Sequence, residues 1–287
     1  YLIWCSPKKS GSYKIPRTVT VFDSWAFNSN NLTSITIPDT ITVIVDYAFQ
    51  NCHELETVII PNSVTFIGCG AFTNCFALSS ISLPDTLTAI GQKAFYGCNS
   101  LVSLIIPDSV NFIDVEAFYM CCGLKTISLP RTITFIGSKT FSDFLSLLSI
   151  TIPESVTFIG SFAFSYCSSL TSINLPCELP SIEAYTFNLC TSLKSITIPA
   201  SVSSIGNYAF CACSALTSIT IPNSVISIGE HAFDNCSSLE SIVIPKSVTS
   251  IGKNAFAKCS RLETASVPLG LELSSNTFPM GVEISIY

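Results

Sequence analysis

The sequence predicts a repeat solenoid, a right-handed parallel β-coil with short strands, 3₁₀ or turn corners and little or no α-helix. Three observations carry that expectation. Proline recurs at Pro38, Pro61, Pro84, Pro107, Pro130, Pro153, Pro176, Pro199, Pro222, Pro245 and Pro268, each 23 residues after the last, with Pro16 preceding Pro38 by 22. Phenylalanine keeps the same beat from Phe49 to Phe256, and leucine from Leu55 to Leu262. Between leucine and proline lies a β-branched segment, Ser-Ile-x-Ile, that alternates with the period of a half-buried strand.

Written out, one unit is Pro-x-x-Val-x-x-Ile-Gly-x-x-Ala-Phe-x-x-Cys-x-x-Leu-x-Ser-Ile-x-Ile. Proline ends the strand because it donates nothing to a ladder. Val-x-x-Ile returns as a second short extended stretch. Gly68, Gly91, Gly137, Gly160, Gly206, Gly229 and Gly252 read as corners needing φ above zero. Ala-Phe then drives a ring into the core through a turn or 3₁₀ segment too short for an α-helix. One unit alone cannot bury its apolar residues, but stacked units cover one another. At about 4.8 Å per turn, the expected rod or arc is roughly 55 Å long. Residues 1–15 read as an N-terminal cap or extension and 16–268 as about eleven full units. Residues 269–287 read as a degenerate capping repeat that breaks register at Phe278-Pro279, all in one domain without a linker.

Composition narrows the partners. Charged residues make up only 11% of 287, and the net charge of −6 comes from 13 basic and 19 acidic residues spread thinly. No run of Lys or Arg tracks a phosphate backbone, which argues against nucleic acid, and no polybasic segment favours an anionic bilayer. No apolar stretch approaches the roughly 18 residues of a membrane helix, so no membrane insertion is expected within this segment. The opening Tyr1-Leu2-Ile3-Trp4-Cys5, followed by Pro7, Lys8 and Lys9, does not read as a signal peptide. Without an initiator Met, the start is either processed or internal to a longer chain, and a targeting signal would lie outside it.

The chemistry-bearing residues point away from catalysis. Nine of 14 cysteines share one position of the unit: Cys52, Cys75, Cys98, Cys121, Cys167, Cys190, Cys213, Cys236 and Cys259. They read as a column of small buried thiols. Neighbours in such a column fall within disulfide range, but pairing would distort a regular stack. A straight row of thiols does not surround zinc tetrahedrally, and no Cys-x-x-Cys occurs. So many unpaired thiols favour a reducing compartment. His53 and His231 lie nearly eight turns apart, and neither has a partner at metal or triad spacing. Nucleophile-elbow, phosphate-loop and His-Glu-x-x-His motifs are absent. No catalytic residue, cofactor or metal is expected, and the chain is not expected to be an enzyme.

The units resemble the BspA-like class of leucine-rich repeats, most closely in Leu216-Thr-Ser-Ile-Thr-Ile-Pro222 and Ile251-Gly-Lys-Asn-Ala-Phe256. The match spans roughly residues 16–268, departing at Val45, Asp114 and Glu183, where the pattern has Gly, and at Phe144, where it has Cys. The resemblance implies a leucine-rich-repeat solenoid found mainly at bacterial and protist surfaces, where some members bind host matrix proteins or other cells. Adhesion is therefore the function it implies.

Two outward columns are candidates for binding. Nineteen residues after each proline stands Ser or Thr, from Thr57 to Thr264, a hydroxyl rank suited to a solvated sheet. Five after it the series runs Val21, Val43, Phe66, Ala89, Phe112, Phe135, Phe158, and then Ser181, Ser204, Ser227 and Ser250. Phe66, Phe112, Phe135 and Phe158, with Ile59, Val102, Ile105 and Leu148 at strand positions, are the expected anchors for a protein partner or a second copy of the chain. The competing reading folds those rings over the corner into the coil. Three function classes follow. A surface adhesin binding a host or matrix protein fits the resemblance. An intracellular scaffold on a cytoskeletal or other large assembly fits the thiols and the absence of a signal peptide in this segment. A carbohydrate binder fits less well, because the strand face shows Ser and Thr instead of aromatic platforms.

Overall fold

A computed structural model of the chain describes residues 4–6 and 9–287. The described residues contain no helix, and the chain divides into two compact units, Tyr1–Ser146 and Leu147–Tyr287. Each is a parallel β-coil, and together they make about twelve turns. In the first unit the Ser-Ile-x-Ile segments form a main sheet in the order Ser10–Lys14, Asn31–Thr36, Thr57–Ile59, Ser80–Ser82, and Ser103–Ile105 pairs with Thr126–Ser128. The register advances by one unit per strand, with Ser34 beside Thr57 and Thr57 beside Ser80.

After each strand the chain turns sharply at proline, whose carbonyl accepts the amide three residues on, as Pro38 does from Ile41 at 3.1 Å. It then runs into a second parallel sheet of two-residue strands: Val43–Ile44, Phe66–Ile67, Ala89–Ile90 and Phe112–Ile113. The second unit repeats this with Ser181–Ile182, Ser204–Ile205, Ser227–Ile228 and Ser250–Ile251.

The corner carrying Ala-Phe is a chain of β-turns in which amides alternate between two kinds of partner. Gln50 donates within its own turn of the coil to Tyr47, and Cys52 to Phe49, while Tyr47, Phe49 and Asn51 donate to Cys69, Ala71 and Thr73 of the next. This alternation satisfies every second amide across the stack, so no helix is needed to bury the corner backbone. Two residues per unit take left-handed backbone to allow it, such as Tyr47 (φ 57) and Asn51 (φ 59).

The glycine expectation is corrected here. Gly68, Gly91, Gly137, Gly206, Gly229 and Gly252 do not have φ above zero; the left-handed residue comes two positions later. These glycines serve close approach instead. A Cβ on Gly91 would stand 2.8 Å from the Gly68 carbonyl carbon and 2.9 Å from the Cys69 nitrogen, both backbone of the preceding turn. Where a side chain occupies this position, the stack opens locally. The inter-turn bond from Lys93 to Val115 beside Asp114 is 3.4 Å, against 2.8 Å for that from Gly70 to Gln92 beside Gly91.

The core is a set of columns. In the first unit Phe27, Phe49, Phe72, Phe95 and Phe118 stack with centroids 5.0, 5.2, 5.3 and 5.3 Å apart, all buried. Phe141 follows at 6.0 Å, the gap widening where Phe144 replaces cysteine and meets it edge-on. In the second unit the column runs from Phe164 to Phe256 and then onto Phe278 at 5.2 Å, so the break at Phe278-Pro279 in sequence is closed in space. Strand Glu283–Ile286 likewise joins the main sheet beside Thr264–Val267. At the other end Ser10–Lys14, within the expected N-terminal cap or extension, is a strand paired in parallel with Asn31–Thr36.

Candidate protein-binding surface

Alternation within each strand decides which residues face solvent. On the main sheet of the first unit, Leu104 is buried while Ser103 and Ile105 are exposed. Ile59 and Ile105 therefore stand out from that sheet at 61% and 75% exposure, with Val102 beside Ile105. On the second sheet Ile67 and Ile113 turn inward, leaving Phe66 half-buried and Phe112 47% exposed.

These two groups of residues, expected to act as one set of anchors, do not form one patch. Ile59 and Ile105 lie on the strands Thr57–Ile59 and Ser103–Ile105 that precede the proline turn, with Val102 just before the second of these, whereas Phe66, Phe112 and Phe135 lie on the two-residue strands that follow it. Leu148 and Phe158 fall in the second unit. The notion that the rings fold into the coil holds in part. Phe66 and Phe135 are half-buried, whereas Phe112 and Phe158 are exposed. The expected column on the second sheet of the first unit is thus Val43, Phe66, Ala89 and Phe112 in adjacent strands; in the second unit Phe158 is followed by a four-stranded sheet bearing four serines.

A further column went unnoticed in the sequence, at the first left-handed position of each corner. In the first unit Trp25 stacks on Tyr47 at 5.3 Å, and Glu116 bridges Lys93 and Lys139 at 3.2 and 3.6 Å. In the second unit Phe162, Tyr185, Tyr208 and His231 form one stack with centroids 4.4, 4.7 and 4.6 Å apart, although their φ values lie between 54 and 61°. Ring stacking offsets the strain of a bulky residue in left-handed backbone. The 23-residue spacing of Tyr185, Tyr208 and His231 was the available signal.

This column also accounts for His231. His231 Nε2 accepts from the Asn254 amide nitrogen at 3.2 Å, which places its proton on Nδ1, 2.9 Å from Asp234. Lys258 lies 3.7 Å from the same carboxylate. Both nitrogens are engaged and one face is covered by Tyr208. His53 stacks on Phe76 at 4.9 Å. Among the described residues no group of three or more His, Cys, Asp or Glu is arranged to hold a metal ion.

The cysteine column is also explained by its bonds. The thiols of Cys52, Cys75, Cys98 and Cys121 donate to the carbonyls of Phe27, Phe49, Phe72 and Phe95 in the preceding turn, at 2.9 to 3.2 Å. Cys190, Cys213, Cys236 and Cys259 repeat the arrangement. Burial pushes the Cys52 thiol up to about 12 and Cys75 and Cys98 well above the usual range. A thiol held protonated is a poor nucleophile and a poor metal ligand. The column therefore supplies buried packing and bonds between successive turns.

Comparison with known proteins agrees with this geometry. The pattern of the BspA type leucine rich repeat region matches residues 6–125, 88–202 and 180–284, six copies in all. Among solved structures, a leucine rich cell surface protein from Faecalibacterium prausnitzii is 29% identical with a TM-score of 0.63, over 97% of this chain and 88% of that one. A leucine-rich repeat protein from Bacteroides ovatus is 28% identical with a TM-score of 0.56, over 96% and 92%. The pneumococcal vaccine antigen PcpA shares the fold at 20% identity and a TM-score of 0.65, over 99% and 85%. A search of curated proteins finds no match. Six repeat copies spanning nearly the whole sequence establish that the chain belongs to the BspA-type leucine-rich repeat family.

Proposed function

We propose that the protein is a non-catalytic scaffold for protein–protein contact, acting at a cell surface as an adhesin. The observation that carries this is the apolar column Val43, Phe66, Ala89 and Phe112 on the second sheet of the first unit, where the four-stranded second sheet of the second unit, Ser181 to Ser250, has only serine. Core positions are dictated by stacking, so an outward column that changes from ring to hydroxyl reflects what it meets and not what it holds up. The surface location draws on the Faecalibacterium relative, itself a cell surface protein at 29% identity. A host or matrix protein is the partner that this reading implies.

A second reading, an intracellular scaffold on a cytoskeletal or other large assembly, is favoured by the fourteen cysteines of the chain. It loses weight because the column thiols are buried and held protonated, which slows their oxidation in any compartment. Affinity capture with mass spectrometry, comparing wild type with the Phe66→Ser, Phe112→Ser variant, tests the proposal. A partner held by wild type and lost by the folded variant is expected. Identical capture by both would remove this face from consideration.

A further inference from the structure

The carboxylates beside the apolar column differ between the two units. Positions one, seven and eight after each proline border the second sheet on either side. In the four turns from Pro38 to Pro130 they hold Asp39, Asp85 and Asp108 on one side, Asp46 and Asp114 on the other, and no Lys or Arg. Asp39, Asp46, Asp85 and Asp108 are exposed and Asp114 is half-buried. Asp39 is paired with Arg17 at 3.3 Å. Asp46, Asp108 and Asp114 each spend one oxygen on a backbone amide, of Cys69, Arg131 and Val115. The same positions in the four turns from Pro176 to Pro268 hold Glu183, Glu230, Lys246 and Lys253, which balance. Apolar column and acidic border thus occur together in the turns from Pro38 to Pro130, and serine and charge balance occur together in those from Pro176 to Pro268.

We infer that the second sheet of the first unit binds a cationic amphipathic polypeptide segment. Its apolar side chains lie on Val43, Phe66 and Phe112, and its Lys or Arg residues meet the aspartates on both borders. The apolar strip supplies the desolvated centre of the contact and the carboxylates supply steering and the choice of partner. A second copy of this chain is the wrong occupant. It carries net charge −6 and would bring like charge to an acidic border. The inference rests on the reading of this face as a protein contact surface.

The test uses two synthetic peptides with the same leucine pattern, one with lysine and one with glutamate at every polar position. Fluorescence anisotropy at physiological salt measures each against wild type, Phe66→Ser/Phe112→Ser, Asp85→Asn/Asp108→Asn, and Glu183→Gln/Glu230→Gln in the second unit. The lysine peptide is expected to bind wild type and the second-unit variant equally, and about tenfold or more weakly to either first-unit variant, while the glutamate peptide does not bind. Equal binding to all four proteins, or equal loss on the second-unit variant, would mean diffuse charge attraction and overturn the inference. The Asp→Asn changes are at the surface and leave the core intact, so the result does not depend on how the Phe variant folds. Captured cellular partners separate the two levels. If they are lost by the Phe variant but kept by the Asp variant, the contact surface stands and the cationic ligand falls. If both variants keep them, the proposed function falls with it.

Discussion

Replacing Gly91 by alanine separates two reasons for a corner glycine. If the residue were there for a left-handed backbone, alanine would cost about 1 kcal/mol of local strain. Gly91 is not in that region, and the cost comes from contact instead. The new Cβ would press on the Gly68 carbonyl carbon at 2.8 Å, the Cys69 nitrogen at 2.9 Å and the Ile67 oxygen at 3.1 Å. All three are backbone of a turn whose own amides bond to this one, so none can rotate away. Relief requires the inter-turn bond from Gly70 to Gln92, now 2.8 Å, to stretch toward the 3.4 Å found beside Asp114. A forced shift of this kind costs about 1–3 kcal/mol. Gly270 is the control, with φ of 84° and nothing within 4 Å of its would-be Cβ. Its alanine variant meets no neighbour and carries only the left-handed strain, about 1 kcal/mol. Urea unfolding followed by far-UV circular dichroism measures both. Equal stability of the two variants, or a greater loss at Gly270, would refute the close-approach argument.

Three further outcomes are expected. Phe95→Ala removes a buried ring stacked between two others and should lose about 3–5 kcal/mol in chemical denaturation, whereas Phe112→Ser on the exposed second sheet should lose no more than about 1 kcal/mol. Pulsed alkylation at pH 8 with mass spectrometry should label exposed Cys177 in the native protein and leave Cys75 and Cys98 unlabelled until the coil is unfolded. Stability should fall on the alkaline side. Burial raises the folded Cys52 thiol from 9.0 to about 12, so its contribution is complete below pH 9 and is lost as pH rises toward 12, at about 1.4 kcal/mol per pH unit for this thiol. Denaturant midpoints from pH 8 to 11 check this, and a Cys52→Ala variant should flatten the slope.

The coil was legible because its core must repeat. Proline, phenylalanine, leucine and cysteine recur where every turn meets an identical neighbour, and the column from Phe27 to Phe118 is that requirement made visible. What geometry alone separates was not legible. A glycine spacing of 23 does not distinguish positive φ from a close backbone approach; only the 2.8 Å contact at Gly91 does. Phe278 sits one residue out of phase, yet it completes the column because a shortened corner can still aim a ring. The left-handed column escaped notice because it admits Trp, Tyr, Lys, Glu, His and Asn alike, its backbone being held by hydrogen bonds to both neighbouring turns and not by the choice of residue. Of the apolar candidates, Ile59, Ile105 and Phe112 are exposed, while Phe66 and Phe135 are half-buried. Ile105 and Phe112 nonetheless belong to different sheets, since seven residues that include a proline turn rotate the chain from one face to another.

The alternating amides of the corner bear on how such a chain changes over generations. Among the described residues the backbone bonds a turn makes outside itself go to the turn before or after it, and column thiols such as those of Cys75 and Cys98 likewise reach back by one turn. An in-frame duplication of one unit therefore creates two junctions of the kind already present and leaves no donor stranded. Gain or loss of whole units is then nearly neutral for folding, and the number of rungs is free to drift. The outward columns, which no neighbouring turn constrains, are where selection for a partner is written.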